Sequence, residues 1–433
     1  MRGGSVAVVG GSIAGSAFAG AAARLGAEQV VVLERSPGRL EDRGVGICIQ
    51  NERFDELVRA GLIGDDVRRH RLTTRRWVTA SPGERDPRGR ELWHQPMPFH
   101  SHHWAVLWQA LRERTPDTVE FRPGTTVTTV GGDQDGAWVS DTGGEGGGGG
   151  GSSAGGAGGA GERFDLVIGA DGYRSAVRAA VCPEARPEYA GYVCWRGSYD
   201  AALLEDGLPD GGRGWPSDEC TTVCYPGGQV VIYRIPGLHP GTTQVNWVFY
   251  APTPEWLEPA GPTSIPAGSL TDQQLDELDR LADQLPPYWA AVVGLTPRER
   301  TLLQPLYDLA APRLAAGRLL LGGDAATVVR PHNTSGAVKA LQDAYAFEQA
   351  GREAARTGGS WSTLLSAYDR ERTAAGRELV ELGRKLGRAQ VTTATDWPAM
   401  TEQSMSAWWQ QQLIGGGGFG GQPLARSPKP PQA

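Results

Sequence analysis

Residues Ser5–Ser36 read SVAVVGGSIAGSAFAGAAARLGAEQVVVLERS. SVAVV is short, apolar and β-branched; the alanine-rich run after it has helical composition and stops at Gly26; QVVVLE is a second apolar strand. Two buried strands joined by one helix make a βαβ unit, and that requires a parallel sheet. The turn between the first strand and the helix carries Gly10, Gly11, Ser12, Ile13, Ala14 and Gly15. A dinucleotide turn needs glycine for a tight bend, for approach of the backbone to a pyrophosphate and for close helix packing. Ser12 takes the middle position of that fingerprint, with Gly11 beside it. Glu34 ends the second strand, where a carboxylate accepts ribose hydroxyls, and Arg35 completes this candidate cofactor set. A glycine-rich turn in an unrelated α/β fold is the competing reading, and the βαβ context with Glu34 weighs against it.

Far downstream, Leu319–Leu341 (LLLGGDAATVVRPHNTSGAVKAL) places Asp324 at the mouth of an apolar strand and opens a helix near Gly336. A carboxylate and free helical N–H groups converging on one spot suit a ligand with both hydroxyls and negative charge. Between these motifs lies Phe164–Arg178 (FDLVIGADGYRSAVR), another apolar strand, which ends at Asp171. The nucleotide strands are thus split along the chain, and a second domain must be inserted between them. The expected division is 1–70, 101–185 and 301–390 for the nucleotide domain and its C-terminal helices. Residues 71–100 and 186–300 are assigned to a mixed-sheet domain, and 391–433 to a partly disordered extension. The run Gly143–Gly161 (GGEGGGGGGSSAGGAGGAG) cannot bury area and reads as a loop between hairpin strands.

Composition narrows the class. The 433 residues carry a net charge of −7, with a hydrophobic fraction of 39% and a charged fraction of 21%. That balance offers nothing to nucleic acid or to an anionic membrane. No stretch reaches the roughly 18 apolar residues of a membrane span. The five cysteines have no Cys-x-x-Cys spacing and read as reduced thiols of a cytoplasmic protein. His100, His102 and His103 lack a carboxylate or thiol partner at ligand spacing, so no metal site is expected.

The three motifs, in this order and at these distances, resemble the single-component FAD-dependent aromatic hydroxylases, the class that includes para-hydroxybenzoate hydroxylase. The finer pattern (GGSIAG, ERSPGRL with GVGICIQ, Trp104 and Leu107, YAGYVCWRG, and GDAATVVRPH followed by Gly, Lys and Asp-Ala) is similar to the 2,6-dihydroxypyridine 3-hydroxylase-like branch. The resemblance implies an α/β fold with an FAD-binding Rossmann-like domain, an inserted mixed β-sheet substrate domain and C-terminal helices. It implies hydroxylation of an electron-rich aromatic or hydroxylated N-heterocycle with O2 and NADH or NADPH, through a flavin C4a-hydroperoxide. Arg43 would lie along the pyrophosphate, and Trp104 stands where relatives place a polar flavin contact. Asp171 would serve both FAD and the nicotinamide, and Asp324 a ribityl hydroxyl. Residues 331–338, with Pro331, Gly336, Ala337 and Val338, would bring N–H groups to the flavin's pyrimidine edge.

His332 on that segment is either a base for a substrate hydroxyl or a residue that caps the helix or packs under the flavin. Tyr192, Trp195, Arg196, Tyr225 and Trp247 are the candidate pocket residues, together with His332 and Tyr233. Strand alternation sends about half of such a set into the core instead. A same-fold reductase or dehydrogenase and a non-catalytic dinucleotide-binding protein are the alternatives. A monomer or a homodimer fits equally.

Overall fold

The computed structural model describes residues 3–38, 40, 46–81, 83, 85–141, 161–258, 264–415 and 418–424. Ser5–Val9 lies inside a six-stranded sheet. It pairs in parallel with Gln29–Glu34 on one side and Leu166–Gly169 on the other. Leu319–Leu321 extends the sheet past Leu166–Gly169, and Val119–Pro123 extends it past Gln29–Glu34, both in parallel. Val9 stands opposite Gly169 and Leu33, and Gly169 stands opposite Leu321. The turns that follow these strands therefore leave from one edge, and three motifs far apart in sequence meet there. Val6, Ala7 and Val8 are fully buried, as strands covered on both faces require. The helix Ile13–Arg24 packs on the helix Gly336–Thr357 through Phe18 and Phe347, whose ring centroids are 5.7 Å apart.

The second sheet has nine strands, most of them antiparallel. Its centre is Glu188–Asp200, Thr243–Pro252, Gly228–Pro236 and Glu219–Tyr225, and the last of these pairs in parallel with His70–Thr79. Gly46–Gln50 and Leu302–Ala310 also belong to this sheet, although the sequence division put them with the nucleotide segments. Edge hydrogen bonding, which a composition boundary does not register, sets those limits.

One face of the large sheet is covered by Asp272–Ala282 and Pro287–Gly294, the other partly by Trp361–Gly387 and Glu402–Leu413. Ala137–Asp141 and Glu162–Phe164 pair antiparallel, while residues 142–160, nearly all of the glycine run between them, lie outside the described residues.

The C-terminal extension is more ordered than its composition suggests. Phe419 packs edge-on against Phe99 and Trp409, and Gly420 N–H donates to Asn333 O at 2.9 Å. Leu424 N–H donates to Glu56 at 2.9 Å. Aromatic anchoring at Phe419 offsets the ordering cost of the glycines around it. Residues 425–433 lie outside the described set.

Candidate functional site

A cavity of about 820 Å³ runs from the common edge of the six-stranded sheet to the inner face of the nine-stranded one. That volume is near the top of the usual range for small-molecule sites, about 300–1,000 Å³.

At the nucleotide end the glycines act through excluded volume. Gly10 has φ of 100°, and a Cβ there would lie 2.4 Å from Ala170 O; a Cβ on Gly15 would lie 1.8 Å from Gly10 O. Gly10, Ser12, Ile13 and Ala14 line the cavity, whereas Gly11 and Gly15 shape the turn from behind. The helix Ile13–Arg24 begins there with no acidic residue in its first turn and no side-chain cap from Ser12. Its free N–H groups suit an anion. Glu34 accepts from Gly11 N–H and from Ser36 N–H, each at 2.8 Å, one bond to each oxygen. Both oxygens keep a lone pair for hydroxyls, and Arg35 lines the cavity beside them. The Trp108 indole donates to Gly11 O at 2.9 Å and fixes the turn. Its spacing from Trp104 is merely that of an apolar helix face, so sequence gave no sign of this role. Trp104 lines the cavity and stacks on Trp108 at 6.1 Å. Arg43 lies outside the described residues.

Asp171 also lines the cavity, but its carboxylate is engaged by Ser175 Oγ at 2.5 Å and Ala176 N–H at 2.7 Å. It accepts from the first N–H groups of the helix Ala176–Val181, behind the N-cap Ser175, and so stiffens the edge. Asp324 differs. Its side chain is exposed and faces the cavity. Desolvation by the cavity walls raises its carboxyl pKa, against the opposing pull of Lys339 and Arg178. A buried ionic cluster braces its turn: Lys339 Nζ donates to Gly323 O at 2.7 Å and pairs with Asp343 at 3.3 Å. Asp343 also accepts from Gly323 N–H at 3.0 Å and from Arg372 at 2.8 Å. Lys339 and Asp343 were visible only as part of a pattern; their work is to hold Asp324.

The segment 331–338 meets the same space through Pro331, His332, Thr334, Gly336 and Ala337. Thr334 has φ of 54°, a left-handed conformation unusual for a β-branched residue and held by the bonds around Asn333 and Ser335. Val338 is fully buried in the core, so only its backbone is available to a ligand. His332 stacks on Tyr250 at 4.2 Å, and its Nε2 is 2.8 Å from Tyr192 OH. Burial first, and then Arg330, lowers its pKa to about 3. Nδ1 makes no well-formed hydrogen bond, although the Gln390 side chain stands beside it.

On the large sheet the candidates divide by face. Arg196 lines the cavity with Tyr233 and Tyr250. Trp195, Tyr225 and Trp247 do not; alternation turns them to the opposite face, in the core under Asp272–Ala282 and Pro287–Gly294. Trp247 donates there to Thr296 at 2.7 Å. Tyr192 contributes only through its contact with His332. Sequence reasoning missed Arg75, Gln229 and Gln390. The last sits on a π-type turn, Arg388–Thr392, where the helix register shifts and no periodicity flags it.

With this geometry in hand, the fold is that of the para-hydroxybenzoate hydroxylase type. Residues 275–382 match the family model described as FAD binding domain, and residues 189–259 match one described as FAD binding domain-like. The chain is 29% identical to the 2,6-dihydroxypyridine 3-monooxygenase of Paenarthrobacter nicotinovorans, over 78% of this chain and 80% of that protein. It is equally 29% identical to the 3-amino-4-hydroxybenzoate 2-monooxygenase of Streptomyces cremeus, over 78% and 76%. The solved 2,6-dihydroxypyridine-3-hydroxylase from Arthrobacter nicotinovorans superposes with a TM-score of 0.75 at 23% identity, covering 92% of this chain and 96% of that one. These matches support the resemblance to the FAD-dependent aromatic hydroxylases and to their dihydroxypyridine branch. No helix among the described residues is long and apolar enough to cross a membrane.

Proposed function

We propose that this protein is an FAD-dependent monooxygenase, using NADH or NADPH and O2 to hydroxylate an electron-rich aromatic or hydroxylated N-heterocycle. The observation that carries it is the single cavity joining two unlike ends. One end offers Glu34, Asp324 and two helix starts; the other is an aromatic and polar sheet face. The cradle at Gly10 and the cavity-facing Asp324 carboxylate fit an adenine dinucleotide with a polyhydroxyl chain. FAD, when bound, supplies hydride acceptance from the nicotinamide and oxygen activation.

The residues have separable tasks. Glu34 holds the ribose and Asp324 a ribityl hydroxyl, while the start of Gly336–Thr357 stabilises negative charge at the flavin's pyrimidine edge. Tyr192, through Nε2, fixes the His332 ring so that Nδ1 is the atom free to meet a substrate hydroxyl. Its proton affinity is too depressed to store a proton, so His332 orients that hydroxyl. Arg196, Tyr233 and Tyr250 line the space for the ring.

The test is whether purified protein is yellow with non-covalent FAD and whether a phenol or hydroxypyridine panel gives substrate-dependent O2 uptake with hydroxylated product. At least one compound should also accelerate anaerobic flavin reduction about tenfold or more, by gating. Colourless protein, or fast reduction that is indifferent to every ligand and gives no product, sends the assignment to the reductase or binding-protein alternatives.

A further inference from the structure

At the large-sheet end of the cavity one wall residue is held differently from its neighbours. Met97, Val231 and Tyr233 are carried on Arg90–His103 and Gly228–Pro236, whose ladder bonds fix where each side chain points. Phe419 lines the same space and packs on the same apolar cluster, but it belongs to no strand or helix. Among the described residues it is the one cavity-lining position beyond Gln390.

Residues 418–424 form a strap that carries this ring. Gly421 N–H donates to Gly418 O at 2.8 Å, and Gly420 has φ of 84°, the glycine that a type II turn needs at its third position. Phe419 occupies the second position of that turn. The strap is docked at few points: Gly420 N–H on Asn333 O at 2.9 Å, Gln422 Nε2 on Glu378 at 2.5 Å and Leu424 N–H on Glu56 at 2.9 Å, with the Gln342 side chain on Gln422 O. On its inner side Gly421 lies so close to Val338 that a Cβ would fall 2.7 Å from Val338 Cγ1. The strap therefore rests on the segment 331–338.

A wall held by one turn and a few hydrogen bonds shifts at lower cost than one held in a sheet ladder. The cavity of about 820 Å³ must also hold the whole dinucleotide and the substrate, so the share left at the sheet end is small. The Phe419 phenyl group fills about the space that a second, fused ring on a substrate would need.

We infer that Phe419 is a specificity-determining residue for substrate size, a wall that the C-terminal strap hangs across the sheet end and that limits the aromatic substrate to one ring. The inference rests on the monooxygenase reading above for the aromatic nature of the ligand.

The experiment titrates the FAD-loaded protein with two matched pairs, phenol against 2-naphthol and 2-hydroxypyridine against 2-hydroxyquinoline. Binding is followed by the perturbation of the flavin spectrum and, independently of colour, by the heat released. Wild type should bind the one-ring member of at least one pair about tenfold or more tighter, the scale on which pocket shape discriminates. Phe419→Ala should move that ratio about tenfold or more toward the two-ring member, and Phe419→Leu should lie between. Gly421→Ala keeps the ring but sets a methyl against Val338, which is fully buried in the core. The strap must then lift, and the ratio should move the same way. FAD content and thermal midpoint are read alongside, to separate a change of wall from a change of fold. A wild type that takes both ring sizes equally overturns the inference, as does a Phe419→Ala protein that keeps the wild-type ratio. If one variant fails to fold, the wild-type ratio and the remaining variants decide. Hydroxylated product is scored separately. Its absence alongside a ratio that depends on Phe419 would sink the monooxygenase reading and leave the size limit standing.

Discussion

The two ends of the cavity are built by different means. The nucleotide end is made of backbone and of room that no side chain fills: Gly10, Gly15 and Gly322 are each packed where a Cβ would fall within 2.5 Å of another atom. The sheet end is made of long side chains drawn from strands far apart in sequence, several with buried polar atoms that lack partners, among them Gln229, Gln390 and His332. A backbone site is specified by a few consecutive residues and tolerates no substitution. A side-chain site is distributed, and its chemistry can change one residue at a time.

The largest expected effect comes from breaking the backbone end. Gly15→Ala drives a methyl into Gly10 O at 1.8 Å, so the helix must move off the strand that carries the turn. The variant should purify without flavin and with a strongly reduced midpoint in thermal unfolding. By contrast Gly294→Ala, where no atom lies within 4 Å of the added Cβ, should leave FAD content unchanged. A yellow, stable Gly15→Ala protein would show that the turn yields and is less constrained than its packing indicates.

Next in size is the brace behind Asp324. Lys339→Met removes one of two cations from Asp343 and strands a carboxylate that is almost fully buried. Breaking a buried pair of this kind costs on the order of 3 kcal/mol, and Arg372, still bound, keeps it from costing more. Urea unfolding should register that loss, together with weaker FAD retention because the Gly323 turn loses its ammonium tie.

These positions also show what sequence could and could not disclose. The parallel βαβ, the strands that end at Asp171 and Asp324 and the place of Glu34 at the end of its strand were legible because each is a local run whose spacing has few physical solutions. The faces of the large sheet were not. Trp195 and Arg196 are neighbours in sequence and point opposite ways, and tertiary packing alone decides which side a helix covers. Arg75 has the spacing of any strand residue, and nothing local says that Trp409, far along the chain, will stack on it. Aromatic content on strands marks core as readily as pocket.

Acid pH separates the two regions more gently. His102, near the edge of the nine-stranded sheet, stacks on Phe54, and His332 lies in the cavity; both are held to a pKa of about 3, chiefly by burial. Their folded values lie below the unfolded value near 6.5, so the unfolded chain binds more protons between those limits. Stability should therefore be full above about pH 6.5 and fall as pH drops toward 3, with a slope approaching about 1.4 kcal/mol per pH unit for each histidine. His332→Ala should reduce that slope measurably in thermal melts from pH 4 to 7. In turnover it should lower product per NAD(P)H and raise peroxide release, without recovery at high pH, because ionising the substrate does not replace an orienting contact. Coupling that stays unchanged across pH would leave His332 as packing only.

The smallest effect tests the division of faces itself. Trp247 is fully buried on the helix-covered side, and its indole N–H donates to Thr296 Oγ1 at 2.7 Å. Trp247→Phe removes that donor and part of the ring, while Thr296 can turn its own hydroxyl elsewhere. The loss should be about 1 kcal/mol for the hydrogen bond, with a further contribution from the smaller ring. None of it should reach the cavity, because Val248, next along the strand, is the residue that points there. Denaturant midpoints should thus shift while ligand affinities in the flavin-perturbation titration stay within about twofold. Tyr250→Phe, on the cavity side of the same strand, should reverse that pattern, with little change in stability and altered ligand binding. If Trp247→Phe changed the order in which ligands bind, the sheet would be transmitting strain between its faces, and the outer aromatic layer would have to be counted as part of the site.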